Sequence, residues 1–94
     1  MRRFRTTNEI IKVKDSNLES VDKFLKGRCK SREVFKRGDG KVIYWKIENY
    51  DGFTFNVSPG HFILYDRVNS KFLPLRKLQV KHVLMYLKPK FIIS

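Results

Sequence analysis

Residues 53–66, FTFNVSPGHFILYD, contain two apolar runs separated by a sharp turn. In the first run, FTFNV, apolar and polar residues alternate, which is the period-two pattern of a half-buried β-strand. Ser58-Pro59-Gly60 then interrupts the pattern, because proline fixes φ and glycine accepts positive φ. The second run, FILY at residues 62–65, is apolar on both faces and predicts a strand in the centre of a sheet. The stretch therefore predicts two strands joined by a tight turn, and with them the core of the domain.

Two further strands are predicted on either side of a hairpin turn. Residues 33–37 (EVFKR) and 41–49 (KVIYWKIEN) flank Gly38-Asp39-Gly40, and an Asp-Gly pair between two β-rich runs is a strong hairpin signal. Tyr50-Asp51-Gly52 forms the next turn, so an antiparallel meander continues into residue 53. In the second strand we expect one face to hold Ile43, Trp45 and Ile47, and the other to hold Val42, Tyr44, Lys46 and Glu48.

The ends of the chain contain shorter β-signals. Residues 9–14 (EIIKVK) are rich in β-branched side chains and predict a first strand. Residues 72–75 (FLPL) predict an extended segment at a sheet edge, because Pro74 has no amide hydrogen to donate. Residues 91–93 (FII) fit either a last strand or a tail.

One helix is predicted over residues 17–26, where Leu18, Val21, Phe24 and Leu25 recur at helical spacing. Ser16 and Glu19 fit a capping box at its start, and Gly27 fits a C-cap. Residues 76–87 match a helical stripe and also alternate, so helix and strand both stay open there. The sequence thus predicts a single α+β domain over residues 1–94, mostly β, with an antiparallel curled sheet or a small barrel and one or two helices.

The charge balance favours an anionic partner. The chain has 94 residues and a formal net charge of +12, from 21 Lys and Arg against 9 Asp and Glu. This excess repels itself in the folded state and exceeds what solubility requires. Alanine is absent, which is typical of proteins from AT-rich genomes and favours a phage or other viral origin.

The sequence also limits the expected cellular compartment and the chemistry that the side chains can perform. Cys29 is the only cysteine, so an internal disulfide and a cysteine-based zinc cluster are excluded, and a cytoplasmic location is expected (the host cytoplasm for a viral protein). No apolar run approaches the roughly 20 residues that span a bilayer, so we expect no membrane partner. We expect no catalytic residue, metal or cofactor. The basic neighbours of Cys29 would lower the pKa of its thiol, but the favoured interpretation is a bystander cysteine where the helix ends.

Nucleic acid, either DNA or RNA, is the predicted partner. Arg2, Arg3 and Arg5 form a possible basic arm over residues 1–7, and Tyr44 beside Lys46 has the features of a base-stacking surface. The remaining predicted contacts are basic residues of the connector and hairpin: Lys26, Arg28, Lys30, Arg32, Lys36, Arg37 and Lys41. A further basic group lies near the C-terminus: Arg76, Lys77, Lys81, Lys88 and Lys90. The opposing interpretation is that the charges cover every face and that Tyr44 packs under a helix.

Several motifs resemble the N-terminal half of Hint domains, the fold of inteins and Hedgehog autoprocessing domains. Residues 57–64 resemble the block with a Thr-x-x-His core, here Ser58-x-x-His61, and residues 9–15, 21–25 and 72–84 resemble the segments around it. The positions of the family's nucleophile hold Phe-Arg-Thr-Thr (residues 4–7), and the half with the His-Asn pair is missing. The resemblance therefore implies a degenerate or repurposed domain without splicing activity, with His61 as a relic that holds a turn.

Three functional hypotheses follow. The first is a small, basic, non-enzymatic protein that binds nucleic acid through phosphate contacts, for which about four neutralised phosphates give a log–log salt slope of about −3.6 on duplex DNA. The second is a protein-binding module or inhibitor that acts on an acidic host protein through an apolar patch including Tyr44, Phe72 and Leu73. The third is the degenerate Hint-like domain. For His61, the alternative to a functional role is a histidine bonded to the backbone beside a tight turn.

Overall fold

The computed structural model describes residues 8–86 and 89–92; the predicted arm with Arg2, Arg3 and Arg5 lies outside this part of the chain. The strands are β1 (Glu9–Lys12), β2 (Ser31–Lys36), β3 (Val42–Glu48), β4 (Thr54–Val57), β5 (Phe62–Asp66), β6 (Lys71–Leu75) and β7 (Lys90–Phe91). The helices are α1 (Leu18–Leu25) and α2 (Lys77–Tyr86), with a 3₁₀ turn at Asp15–Asn17. The predicted α+β class, mostly β, is confirmed.

The strands form two sheets, with the orders β6-β5-β1-β7 and β2-β3-β4. All neighbours are antiparallel except β1 and β7, which are parallel. The predicted meander is confirmed for β2, β3 and β4, but β5 leaves it and pairs with β1 and β6 instead. The two sheets do not close on each other, so the alternative of a small barrel is wrong.

The central position of β5 follows from its sequence. Phe62, Ile63, Leu64 and Tyr65 are all buried, because α2 covers one face of the four-stranded sheet and the second sheet with α1 covers the other. The turn before β5 has Gly60 at φ 95°, as its sequence predicts. Pro74 lies in β6, at the edge of the sheet, where its missing N–H is tolerated.

Two hydrophobic clusters hold the layers together. The larger cluster joins Ile11, Ile63 and Phe72 of the four-stranded sheet to Trp45 and Ile47 of the three-stranded sheet, together with the apolar side of α1. The smaller cluster packs Val80 of α2 against the opposite face of the four-stranded sheet. Both periods fitted residues 76–87. In the structure Lys77–Tyr86 form a helix, with Val80 buried against the sheet.

A β-bulge corrects the predicted faces of β3. Phe35 of β2 faces Tyr44, and Lys36 faces Val42, so Ile43 is the extra residue. The alternation changes at this point. Val42 joins Trp45 and Ile47 in the core, whereas Ile43 is 45% exposed. The expectation that Ile43 shares the buried face of Trp45 is therefore wrong.

Two other local predictions, the cap of α1 and the burial of Phe53, differ from the structure. No side-chain capping bond forms at the start of α1, because Asn17 is the N-cap residue and its amide points back to the preceding strand. Asn17 Oδ1 accepts from the Lys14 N–H at 2.9 Å, and Asn17 Nδ2 donates to the Lys12 carbonyl at 2.7 Å. Phe53 precedes β4 and is 42% exposed, so it is not one of the core positions that the alternation predicted.

Candidate nucleic-acid interface

Arg28, a predicted phosphate contact, is instead a packing residue between elements. Its Nε and Nη2 donate to the Phe24 carbonyl at 3.1 and 2.6 Å, and its Nη1 lies 2.9 Å from Glu9 Oε1. The guanidinium carbon lies 4.1 Å from the centroid of the Tyr65 ring. Since these contacts engage all three guanidinium nitrogens and place the group against an aromatic ring, Arg28 stabilises the fold and has little capacity left for phosphate.

Arg32 is also engaged inside the protein. Its Nε and Nη2 donate to Asp22 Oδ1 and Oδ2 at 2.6 and 3.2 Å, which ties β2 to α1. The hydrogen bond from Arg32 holds the pKa of Asp22 below its usual value. Lys30 is more exposed, with Nζ 3.8 Å from Glu48 Oε2. Of the connector residues, Lys26 is exposed with no carboxylate of the described residues within 4 Å.

The β2–β3 hairpin has an exposed basic tip. Arg37 Nη2 donates to Asp39 Oδ2 at 2.7 Å, and this bond lowers the pKa of Asp39. Asp39 Oδ1 also accepts from the Lys41 N–H at 3.0 Å, which fixes the turn. Lys36 and Lys41 are exposed and have no ion pair with any described residue, so they are the tip's available cations.

One face of the three-stranded sheet is open to solvent. We call it the open face; its members, by strand register, are Ser31, Glu33, Phe35, Tyr44, Lys46, Glu48, Thr54 and Asn56. The rings of Phe35 and Tyr44 stack across it with centroids 4.7 Å apart and planes at 26°. Because α1 packs on the opposite face of this sheet, the interpretation that Tyr44 packs under a helix is wrong. The predicted pair Tyr44 and Lys46 therefore lies on an accessible surface.

A cleft of about 490 Å³ lies between the β4–β5 turn and the junction of β6 with α2. It is lined by Asn56, Val57, Ser58, His61, Pro74, Leu75, Arg76 and Gln79. The cleft brings together Ser58 and His61, the residues of the Hint-like motif, with Arg76 of the C-terminal basic group. Asn56 belongs to both the cleft and the open face, where it is the register partner of Lys46. The two features are therefore contiguous.

The backbone of the turn is fixed, but the His61 side chain is exposed. The His61 carbonyl accepts from the Val13 N–H at 2.9 Å, and the Gly60 N–H donates to the Val13 carbonyl at 2.8 Å. The imidazole itself has no hydrogen bond to any of the residues that the structure describes. The family's nucleophile positions, residues 4–7, lie outside those residues.

The C-terminal basic group lies in a segment without acidic residues. Residues 67–94 contain seven Lys or Arg and no Asp or Glu, since Asp66 is the last acidic residue. Arg67 and Lys71 pair with Glu9 and Asp51 of earlier segments. Arg76, Lys77 and Lys81 are exposed, without an ion pair in the described part of the chain. The acid-free composition of this segment is a sequence signal that identifies them.

Burial reverses the prediction for Cys29. Its thiol is buried and donates to the Leu25 carbonyl at 3.5 Å, and desolvation raises its pKa in spite of Arg32 nearby. The expected lowering of this pKa is therefore wrong, and Cys29 is a core residue. Within residues 8–86 and 89–92, no group of three His, Cys, Asp or Glu is placed to hold a metal ion.

Neither helix of the described segments is long and apolar enough to cross a bilayer. No protein-family model, curated protein or solved structure matches the chain.

Proposed function

We propose that this chain is a small non-enzymatic protein that binds single-stranded nucleic acid on the open face. The main support is the Phe35–Tyr44 stack, which is half-buried on a sheet face that no described helix or strand covers, in a chain with a net charge of +12. Aromatic side chains on such faces stack with unpaired bases, and each stacked base contributes about 1–3 kcal/mol. Bases inside a duplex are stacked on both ring faces, so the expected ligand is a single strand.

The charges around the open face support a division of roles. On the face itself Lys46 lies opposite Glu33, and Glu48 accepts from the Ser31 hydroxyl at 3.2 Å and lies near Lys30. This balanced surface suits bases better than phosphates. Uncompensated cations lie at its borders, with Lys41 at the hairpin tip and Arg76 in the cleft next to Asn56, whereas Lys36 lies on the α1 side of the sheet. We assign the phosphate contacts to these borders.

The aromatic contact is tested with a matched pair of tyrosine variants. In fluorescence anisotropy with a labelled oligo(dT) of about 12 nucleotides, Tyr44→Ala should weaken binding by about 5- to 150-fold, the equivalent of one lost stacking contact. Tyr50 lies in the β3–β4 turn and is 65% exposed, so Tyr50→Ala should leave the affinity unchanged. Equal affinities of the two variants, or no binding by the unmodified chain at low salt, would refute the proposal.

The outer side of α2 supports a second candidate, a module that binds an acidic protein. Leu78 and Met85 are 79% and 67% exposed and line a shallow depression with Lys81 and His82. An apolar stripe among cations suits an acidic partner helix or loop. Phe72 is fully buried, so its predicted place in such a patch is wrong. A pull-down that retains one acidic protein after nuclease treatment, and loses it with Leu78→Ser, would favour this candidate.

A further inference from the structure

We infer that the cleft beside the β4–β5 turn binds a phosphoryl group. Its volume of about 490 Å³ lies within the range of small-ligand pockets, about 300–1,000 Å³. The buried side chains of Val57 and Leu75 form its apolar part, and polar side chains line the remainder. The inference rests on the proposed function only for the source of the phosphoryl group.

The polar lining supplies hydrogen-bond donors that have no partner among the described residues. Arg76 offers a guanidinium with five N–H groups, Ser58 a hydroxyl, and His61 a ring N–H in either protonation state. Gln79 Oε1 accepts from the Arg76 backbone N–H at 2.7 Å, which leaves the Gln79 amide group as a donor. Asn56 provides a second amide group. The donors converge from two chain segments, and this arrangement suits a ligand with several acceptor oxygens.

The charge of the cleft argues against a metal cation as its ligand. Neither wall contains an acidic residue, because no Asp or Glu occurs between Asp51 and Asp66 or after Asp66. A divalent cation prefers carboxylate oxygens and is repelled by Arg76, so a metal site does not fit. An anion with oxygens at several angles fits both the charge and the donors, and phosphate meets this description.

The cleft is held in shape before any ligand arrives. The turn is bonded to Val13 by two backbone hydrogen bonds, of 2.8 and 2.9 Å. The opposite wall continues from β6, in which Leu75 is the register partner of Phe62. A site with fixed walls loses less entropy on binding than a mobile one. The shared residue Asn56 places the cleft beside Lys46, so a strand on the open face has a phosphate within reach of Arg76.

The first test uses inorganic phosphate and does not depend on nucleic acid. In NMR titrations of the full chain at constant ionic strength, phosphate should produce saturable shifts at the His61 ring and the Arg76 side chain, and chloride should not. Arg76→Gln should abolish these shifts at His61. Lys77→Gln removes the same charge at the next position, outside the cleft, and should retain them. Absent or unsaturable shifts, or equal effects of the two variants, would overturn the inference.

The second test identifies the source of the phosphoryl group. If a strand on the open face supplies it, Arg76→Gln should weaken oligo(dT) binding several-fold more than Lys77→Gln does. Phosphate shifts together with equal oligo(dT) affinities would overturn the strand as the source and assign the cleft to free phosphate. Weaker oligo(dT) binding by Tyr44→Ala without phosphate shifts would refute the phosphate site and leave the proposed function intact. Phosphate shifts in a chain that binds no oligo(dT) would refute the proposed function and leave the phosphate site intact.

Discussion

Arg28 shows why a basic residue in the sequence is not automatically a ligand contact. Its position between Lys26 and Lys30 gave it the features of a phosphate-binding connector, but it lies against Phe24, Tyr65 and Glu9. Because the guanidinium packs on aromatic rings, its charge contributes to the stability of the fold. The partners come from residues 9 and 65, which are distant in sequence, so composition and spacing carried no signal for this role.

We expect Arg28→Ala to lower the free energy of unfolding by about 2 kcal/mol, because it removes a cation–π contact, an ion pair and two bonds to a helix-end carbonyl. Urea unfolding followed by the fluorescence of the buried Trp45 measures this loss. Lys30→Ala is the matched control. Its exposed ion pair at 3.8 Å predicts a change below about 0.5 kcal/mol. Equal effects of the two substitutions would contradict the structural role of Arg28.

Asn49 is a residue for which the sequence offered no signal. It is fully buried at the end of β3, its Oδ1 accepts from the Phe72 N–H at 2.7 Å, and its Nδ2 donates to the Phe72 carbonyl at 2.9 Å. The amide therefore mimics a strand residue and joins the three-stranded sheet to β6. An Asn before a turn is typical of an exposed loop, and only the tertiary pairing makes this one a core residue.

Among the elements, those with local determinants were predictable. The hairpin turn before β3 and the Gly60 turn follow from φ preferences, and α1 follows from its apolar stripe. The division into two sheets was not predictable, because alternation shows which side chains are buried but not which strand lies alongside. The bulge at Ile43 changes which side chains of β3 face the core, and no Gly or Pro at this position marks it in the sequence. In the same way, the cleft depends on residues 56–61 and 74–79 meeting in space.

The docking of α1 on β2 depends on the Asp22–Arg32 pair and should respond to pH. Because the pKa of Asp22 is lowered in the folded state, the pair contributes stability above the unfolded carboxyl's pKa, and this contribution is lost as pH falls through the folded value. Since Asp22 is 47% exposed, we expect only about 0.5 kcal/mol at neutral pH. Urea unfolding of the unmodified chain and Asp22→Asn should therefore differ at pH 7 and converge near pH 3.

A difference between these two proteins that persists undiminished at pH 3 would contradict an electrostatic role for Asp22. Glu33→Gln is a suitable control. Glu33 is exposed on the open face, away from the α1 docking surface, and has no ion pair with any described residue. The control separates loss of the α1 contact from a general change in net charge.

At the scale of the whole molecule, the charge of +12 is divided between structural and available cations. Six described Lys or Arg residues form ion pairs: Arg28, Lys30, Arg32, Arg37, Arg67 and Lys71. Exposed cations without such pairs border the open face and the cleft. Net charge thus predicted an anionic partner, and the distribution of acidic residues in three dimensions is one basis of our proposal for where such a partner binds.

The salt dependence of oligo(dT) binding is the sharpest test of the proposed nucleic-acid interface. If Lys41 and Arg76 each neutralise one phosphate, the log of the association constant should fall with the log of salt concentration with a slope of about −1.4 on a single strand. Anisotropy titrations of the unmodified chain from about 50 to about 200 mM salt measure this slope. A slope of about −1.4 is the result we expect. No binding at low salt, or an affinity that does not change with salt, would contradict a nucleic-acid interface bordered by the cations of the hairpin tip and the cleft.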